Sequence, residues 1–231
     1  RKELCEKLIL NSNKKIIFYA TKSPKRFPWG PELLADLAKA INMGHIHDHP
    51  QILVRIHPLH YRTKNGRLMF QNILDEYDSV ASEYSSVVLN IPETVSKKID
   101  FDLSDSETIL VSSLLEHSDV MLNMFSTMVI EAAIFDLPTV NVCIRERCKV
   151  EFGKSQQDIM VDYSQTHNQR VIQTGGVKTV FTMEDLYSAV NDYLENPASD
   201  SSARKRIVEN EAGPYRGNAG EMIGKHILSL L

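Results

Sequence analysis

The sequence predicts an α/β fold, a doubly wound and mostly parallel sheet of five to six strands with helices on both faces. Three observations predict it. Short runs are apolar along their whole length instead of alternating, as strands buried on both faces are. Amphipathic helical stretches separate those runs, which is the pattern of βαβ units. The 231 residues are 42% hydrophobic and 24% charged, enough to fill a core and too apolar for a disordered chain.

The elements follow in order. Residues 1–14 are expected to form a linker helix leading in from a missing amino-terminal domain, because the chain opens at Arg1 with neither Met nor a signal-peptide pattern. Residues 15–231 are expected to be the α/β domain with its carboxyl-terminal helices. Residues 16–20 are the first strand. Pro31 opens a helix with Leu33, Leu34, Leu37, Ala38 and Ile41 at helical spacing, and Gly44 stops it. Residues 51–56 are the second strand, and 68–78 read as a helix around Met69, Ile73 and Leu74. Residues 87–91 are the third strand, stopped by Pro92. Ser104 and Glu107 form a capping box ahead of Ile109, Leu110, Leu114 and Leu115.

Residues 119–123 are the fourth strand, and Ser126 opens a helix through Ala132, Ala133 and Phe135. Residues 139–144 are the fifth strand. Residues 145–176 read as irregular and polar, with Gly175-Gly176 as punctuation. A sixth strand over 177–181 leads to a helix capped by Thr182 and Asp185 and ended by Pro197. Two helical stretches, about 200–210 and 218–230, are separated by Gly213-Pro214.

Composition excludes several classes of function. A net charge of −4 gives no overall basic footprint for nucleic acid. No apolar run reaches the roughly 18 residues that a membrane-spanning helix needs. Cys5, Cys143 and Cys148 are too few for a disulfide framework and read as reduced thiols of a cytosolic protein. No Walker loop or dinucleotide fingerprint follows the first strand, and no nucleophile elbow is present.

Fold class alone places a candidate site. In the common strand order 3-2-1-4-5-6, strands 1 and 4 meet at the switch point, and ligands bind beyond their carboxyl ends. The loops over 21–30, 57–66 and 124–127 should therefore line a crevice. Charge points to the same place. Residues 21–67 hold eight Lys and Arg against three acids, a net +5, whereas residues 68–136 hold two Lys against thirteen acids, a net −11. Cationic crevice loops suit a phosphate-bearing ligand.

The candidate residues lie in those loops. Ser126 and Thr127 stand at a helix start, where hydroxyls and amides can receive phosphate oxygens. Glu131 lies one turn on, an acid in a nearly continuous apolar run, and can accept two hydrogen bonds from ribose hydroxyls. His57 ends the second strand ahead of Pro58 and can donate to a phosphate oxygen; by alternation Arg55 shares its face. Thr21 begins the first crevice loop, with Lys22 and Arg26 beside it. His167 lies in the long segment after the fifth strand, with Asp162 and Tyr163 nearby in sequence. On spacing alone other roles stay open: Ser126 as an N-cap, Glu131 in a structural ion pair, His57 as a loop histidine. His45, His47 and His49 precede the second strand, at the opposite end from the crevice, so no metal site is expected there.

Three places in the sequence resemble the carboxyl-terminal, donor-nucleotide-binding domain of GT-B fold glycosyltransferases. They are His57-Pro58, the Ser126 to Ala132 helix followed by Pro138, and the tail from Gly175-Gly176 through Pro197 to Gly217. Bacterial surface-polysaccharide and teichoic-acid-type transferases carry similar stretches; UDP-N-acetylglucosamine 2-epimerases share the His-Pro and Glu elements. The resemblance implies a Rossmann-like domain in which Glu131 holds the ribose, Ser126 and Thr127 meet the diphosphate, and His57 helps bind phosphate. It implies a nucleotide-sugar or CDP-alcohol donor as substrate, no cofactor, and no metal. It also implies a missing amino-terminal acceptor domain that supplies the catalytic base, with peripheral membrane association through that part left open.

The leading expectation is thus the donor-binding domain of a glycosyltransferase or glycerophosphate transferase in surface polysaccharide synthesis. It is expected in the cytoplasm, with the inner face of the membrane left open, and to hold half of an active site. The alternatives are an epimerase-like enzyme and a noncatalytic Rossmann module that binds nucleotide or a partner protein.

Overall fold

The computed structural model describes residues 1–93, 104–144, 150–152 and 155–230. The first half runs α1 (Lys2–Leu8), β1 (Ile16–Ala20), α2 (Gly30–Asn42), β2 (Gln51–Arg55) and a 3-10 turn (Pro58–Tyr61). A small hairpin follows, β3 (Thr63–Lys64) and β4 (Arg67–Leu68), then α3 (Gln71–Glu83) and β5 (Val87–Asn90). Next come α4 (Asp105–His117), β6 (Val120–Asn123), α5 (Met128–Ile134) and β7 (Thr139–Val142). A second hairpin, β8 (Val150–Phe152) and β9 (Ser155–Gln157), precedes α6 (Ile159–Ser164), α7 (Thr166–Gln173) and β10 (Lys178–Val180). The chain closes with α8 (Met183–Glu195), α9 (Ser201–Ile207), a π turn (Val208–Ala212) and α10 (Ala219–Ser229).

Six of these strands form one sheet in the order β10-β7-β6-β1-β2-β5. Every pairing in it is parallel. This is the 3-2-1-4-5-6 order expected from sequence, with β1 and β6 adjacent at the switch point.

Side-chain alternation explains why the strands read as apolar throughout. Ile17, Tyr19, Ile52 and Val54 face one layer, against Leu34 and Leu37 of α2, Leu74 of α3 and Leu186 of α8. Ile16, Phe18, Ala20 and Leu53 face the other, against Leu110 and Leu114 of α4 and Ala132 of α5. Leu4 and Cys5 of α1 are buried in that second layer. Arg1 donates to Asp119 Oδ2 at 3.0 Å and to the carbonyl of His117 at 2.9 Å, which anchors α1 at the start of β6.

Two expectations are corrected. The helix placed at 68–78 begins at Gln71 and runs to Glu83, because Asn65 and Gly66, at φ 52° and 75°, make a tight turn that draws Arg67 and Leu68 into β4. The segment over 145–176, read as irregular, contains β8, β9, α6 and α7 in its described part; residues 145–149 and 153–154 lie outside the described residues. Its helices span only six and eight residues, with Ile159 the buried residue of α6 and Asn168 and Val171 those of α7, too short for an apolar period to stand out. The stretch near 200–210 is helical as expected, with α9 passing directly into the π turn. Cys5 and Cys143 are buried free thiols, and Cys148 lies outside the described residues. Among the described residues, no helix is long and apolar enough to cross a membrane.

Candidate functional site

Because β1 and β6 are neighbours, the loops leaving their carboxyl ends lie side by side. They border a cleft of about 200 Å³. Ala20, Thr21, Lys22 and Ser23 line it from β1 and its loop, His57 from the loop after β2, and Met124, Phe125 and Ser126 from the turn after β6. All three crevice loops named from the sequence meet here.

Thr21 ties two of them together. Its amide donates to the Arg55 carbonyl at 3.1 Å, and its Oγ1 accepts the His57 amide at 2.8 Å. Tyr77 bonds to Thr21 and Tyr19 from below. Gly30 makes room for that hydroxyl, since a Cβ there would lie 1.8 Å from Tyr77 Oη.

His57 Nδ1 accepts the Leu59 amide at 3.2 Å, which places the proton of a neutral ring on Nε2. Burial lowers the His57 pKa below 6.5, and the nearby charge of Lys22 lowers it further. At neutral pH the ring is therefore an uncharged donor. Lys22 Nζ donates to the Met124 carbonyl at 2.8 Å and to Asp162 Oδ2 at 2.6 Å, and both side chains of this ion pair are 15% exposed.

The turn after β6 is tightly built. Phe125 sits at φ 55°, in the left-handed region that a bulky residue rarely occupies. The buried Asn123 side chain fixes the turn: Oδ1 accepts the Ser126 amide at 3.2 Å, and Nδ2 donates to the Ser126 carbonyl and to Asn141 Oδ1. Ser126 Oγ in turn accepts the Met128 amide at 3.3 Å. Two of the amides expected to be open at this helix start are thus already hydrogen-bonded. The Ser126 and Thr127 side chains are exposed. Glu131 is exposed on α5 and pairs with no cation among the described residues. Partial desolvation of its carboxyl raises its pKa from the ordinary carboxylate value.

Other candidates stand apart from the cleft. Arg55 is buried, and its guanidinium donates to Asn90 Oδ1 and Glu107 Oε2 on the α4 side. β2 ends at Arg55, so the strand alternation expected to align it with His57 does not extend that far. Arg26 is exposed, with its amide bonded to the Ser23 carbonyl at 2.9 Å. His167 is exposed in the first turn of α7. At the other end of the sheet, His47 contacts Glu195 at 3.0 Å and His45 stacks on Tyr187.

The sequence reading named Asp162 and Tyr163 beside His167 without placing them at the cleft, and it missed His60. Asp162 reaches the cleft from 140 residues away. Tyr163, beside it, packs edge-on against both Phe125 and Phe181. His60 is fully buried, and its Nδ1–H donates to the His57 carbonyl at 3.0 Å. No local pattern marks any of them, though the left-handed Phe125 falls where a strand turns sharply into a helix.

No protein-family model matches the sequence, and no curated protein matches it. Solved structures do resemble it. UDP-GlcNAc 2-epimerase from Neisseria meningitidis, bound to UDP-GlcNAc, is 15% identical with a TM-score of 0.57 over 99% of this chain and 48% of its own. Sucrose-phosphate synthase from Thermosynechococcus elongatus is 15% identical with a TM-score of 0.54 over 100% of this chain and 50% of its own. The C-terminal CMP-Kdo binding domain of WaaA from Acinetobacter baumannii is 14% identical with a TM-score of 0.51 over 90% of this chain and 96% of its own. The chain spans about half the length of the first two and nearly all of the third. At these identities the likeness establishes the fold, and the chain has the Rossmann-like architecture of a GT-B domain.

Proposed function

We propose that this chain is the donor-nucleotide-binding domain of a glycosyltransferase, or of a glycerophosphate transferase, that uses a nucleotide-activated donor in surface polysaccharide synthesis. The observation that carries the reading is the meeting of all three crevice loops at the switch-point cleft, with Lys22 and a neutral His57 on its walls. A structurally similar domain is described as binding CMP-Kdo, and the similar epimerase holds UDP-GlcNAc.

In this reading His57 donates from Nε2 to a phosphate oxygen, and Thr21 fixes it through its backbone amide. The Ser126 and Thr127 hydroxyls add donors to the diphosphate. Glu131 accepts from the ribose hydroxyls in its ionised form. Arg55 braces the end of β2 beneath the cleft, while Arg26 and His167 belong to the surrounding loops. These groups stabilise the charge that develops on the leaving diphosphate. A second domain brings the acceptor and the catalytic base, and no metal or cofactor enters the scheme.

Calorimetry on this chain with UDP, CDP, GDP and CMP tests the reading, which fails if none of them binds. Glu131→Ala should weaken the nucleotide that binds by about tenfold or more with an unchanged circular dichroism spectrum, as expected for losing hydrogen bonds to a charged acceptor. Unchanged affinity would remove Glu131 from the ribose role. The raised Glu131 pKa also predicts that affinity falls as acidification protonates this acceptor.

The TM-score of 0.57 to a 2-epimerase favours a second reading, an epimerase-like enzyme. It predicts interconversion of UDP-GlcNAc without any acceptor. A noncatalytic module predicts donor binding with neither hydrolysis nor transfer.

A further inference from the structure

Among the described residues that line the cleft, Lys22 is the charged cation, since its neighbour His57 is held neutral. Its ammonium is already engaged with Asp162 and with the Met124 carbonyl. A phosphate entering the cleft therefore meets a neutralised lysine and a carboxylate beside it. We infer that Asp162 is a counter-ion latch: it holds Lys22 until a diphosphate displaces it, so the cleft selects its ligand by phosphate charge. The inference rests on the phosphate-binding reading proposed for this cleft.

Geometry supports a displaceable pair. Asp162 belongs to α6, a six-residue helix that buries only Ile159. Two contacts link this short helix to the cleft wall: the ion pair with Lys22, and the edge-on packing of Tyr163 against Phe125. Both partners of the ion pair are mostly shielded from water, so their attraction is stronger than that of an exposed pair. A neutral nucleoside offers Lys22 nothing in exchange for a carboxylate. A monophosphate, at about −1.5 to −2 near neutral pH, offers somewhat more charge than the carboxylate it replaces. A diphosphate offers more charge and more acceptor oxygens, and it wins. Once Lys22 turns to the ligand, α6 loses its ion pair to the cleft wall, while Ile159 and the packing of Tyr163 on Phe181 still hold it to the core.

The test compares the wild type with Asp162→Asn, which keeps the side-chain shape and removes its charge. The probes are uridine, UMP and UDP, the matching cytidine series, and inorganic phosphate and pyrophosphate. Asp162→Asn should tighten diphosphate and pyrophosphate about tenfold. It should tighten the monophosphates less and leave the nucleosides unchanged. Lys22→Ala should abolish the preference for diphosphate in both backgrounds. Weaker or unchanged pyrophosphate binding by Asp162→Asn overturns the latch, and so does an equal change for nucleoside and diphosphate, which a merely structural role would produce.

Hydrogen exchange on the wild type needs no variant. Pyrophosphate should speed amide exchange over residues 159–173, and unchanged exchange there also overturns the latch. Pyrophosphate separates the two failures. If nucleotides do not bind but Asp162→Asn still tightens pyrophosphate, the donor reading falls and the latch stands. If neither protein binds any of the probes, both fall.

Discussion

Arg55 shows how one buried charge is accommodated. It is 6% exposed, and its guanidinium is shared between Asn90 on β5 and Glu107 on α4. A buried cation of this kind is tolerable only while its acceptors are present. Glu107→Ala should therefore destabilise the domain by about 3–5 kcal/mol. Replacing Arg55 and Glu107 together by Met and Leu should recover most of that loss, because no uncompensated charge is left behind. Urea unfolding of the two variants checks both statements, and equal midpoints would refute the account. Sequence placed Arg55 at the end of a strand. It could not place Glu107, 52 residues away, on the helix above it.

The elements were legible in proportion to how local their signals are. Ser104 Oγ accepts the Glu107 amide and Thr182 Oγ1 accepts the Asp185 amide, as the capping residues led us to expect. The hairpin at 63–68 has strands of two residues each, too short for alternation to show, and its local sign is the Asn65-Gly66 turn. Close packing between elements left no local trace. Gly176 lies against the backbone of α9, where an added Cβ would stand 2.8 Å from Ala203 C and Arg204 N. Backbone atoms cannot move aside as a flexible side chain can. Gly176→Ala should cost about 1–3 kcal/mol by pushing α9 off the turn before β10. A midpoint within error of the wild type would show that α9 shifts freely.

At the scale of the whole molecule, the core sets how stability responds to acid. Burial drives the His60 pKa from 6.5 down to about 4, and burial with Lys22 lowers His57 in the same direction. The unfolded chain takes up these protons at a higher pH than the folded one. The contribution of His60 is thus complete above the unfolded pKa of 6.5 and is lost as pH falls toward about 4. It amounts to on the order of 3 kcal/mol. His60→Gln keeps a donor for the His57 carbonyl and has no proton to gain. Its unfolding free energy should vary less than that of the wild type between about pH 7 and about pH 4.5, and parallel curves would refute the assignment.

The expected strand order came from the fold class, whose common order it is, and the sequence by itself determined the layered α/β architecture and where its strands, helices and loops lie along the chain. Those follow from the period of each apolar run and from its turn and capping residues, which act over a few positions of chain. Only the tertiary structure decided which side chains face each other there. It turned Arg55 toward Glu107, bent Phe125 into a left-handed turn, and brought Asp162 to Lys22. An ion pair depends on where distant chain segments come to rest, and periodicity does not encode that.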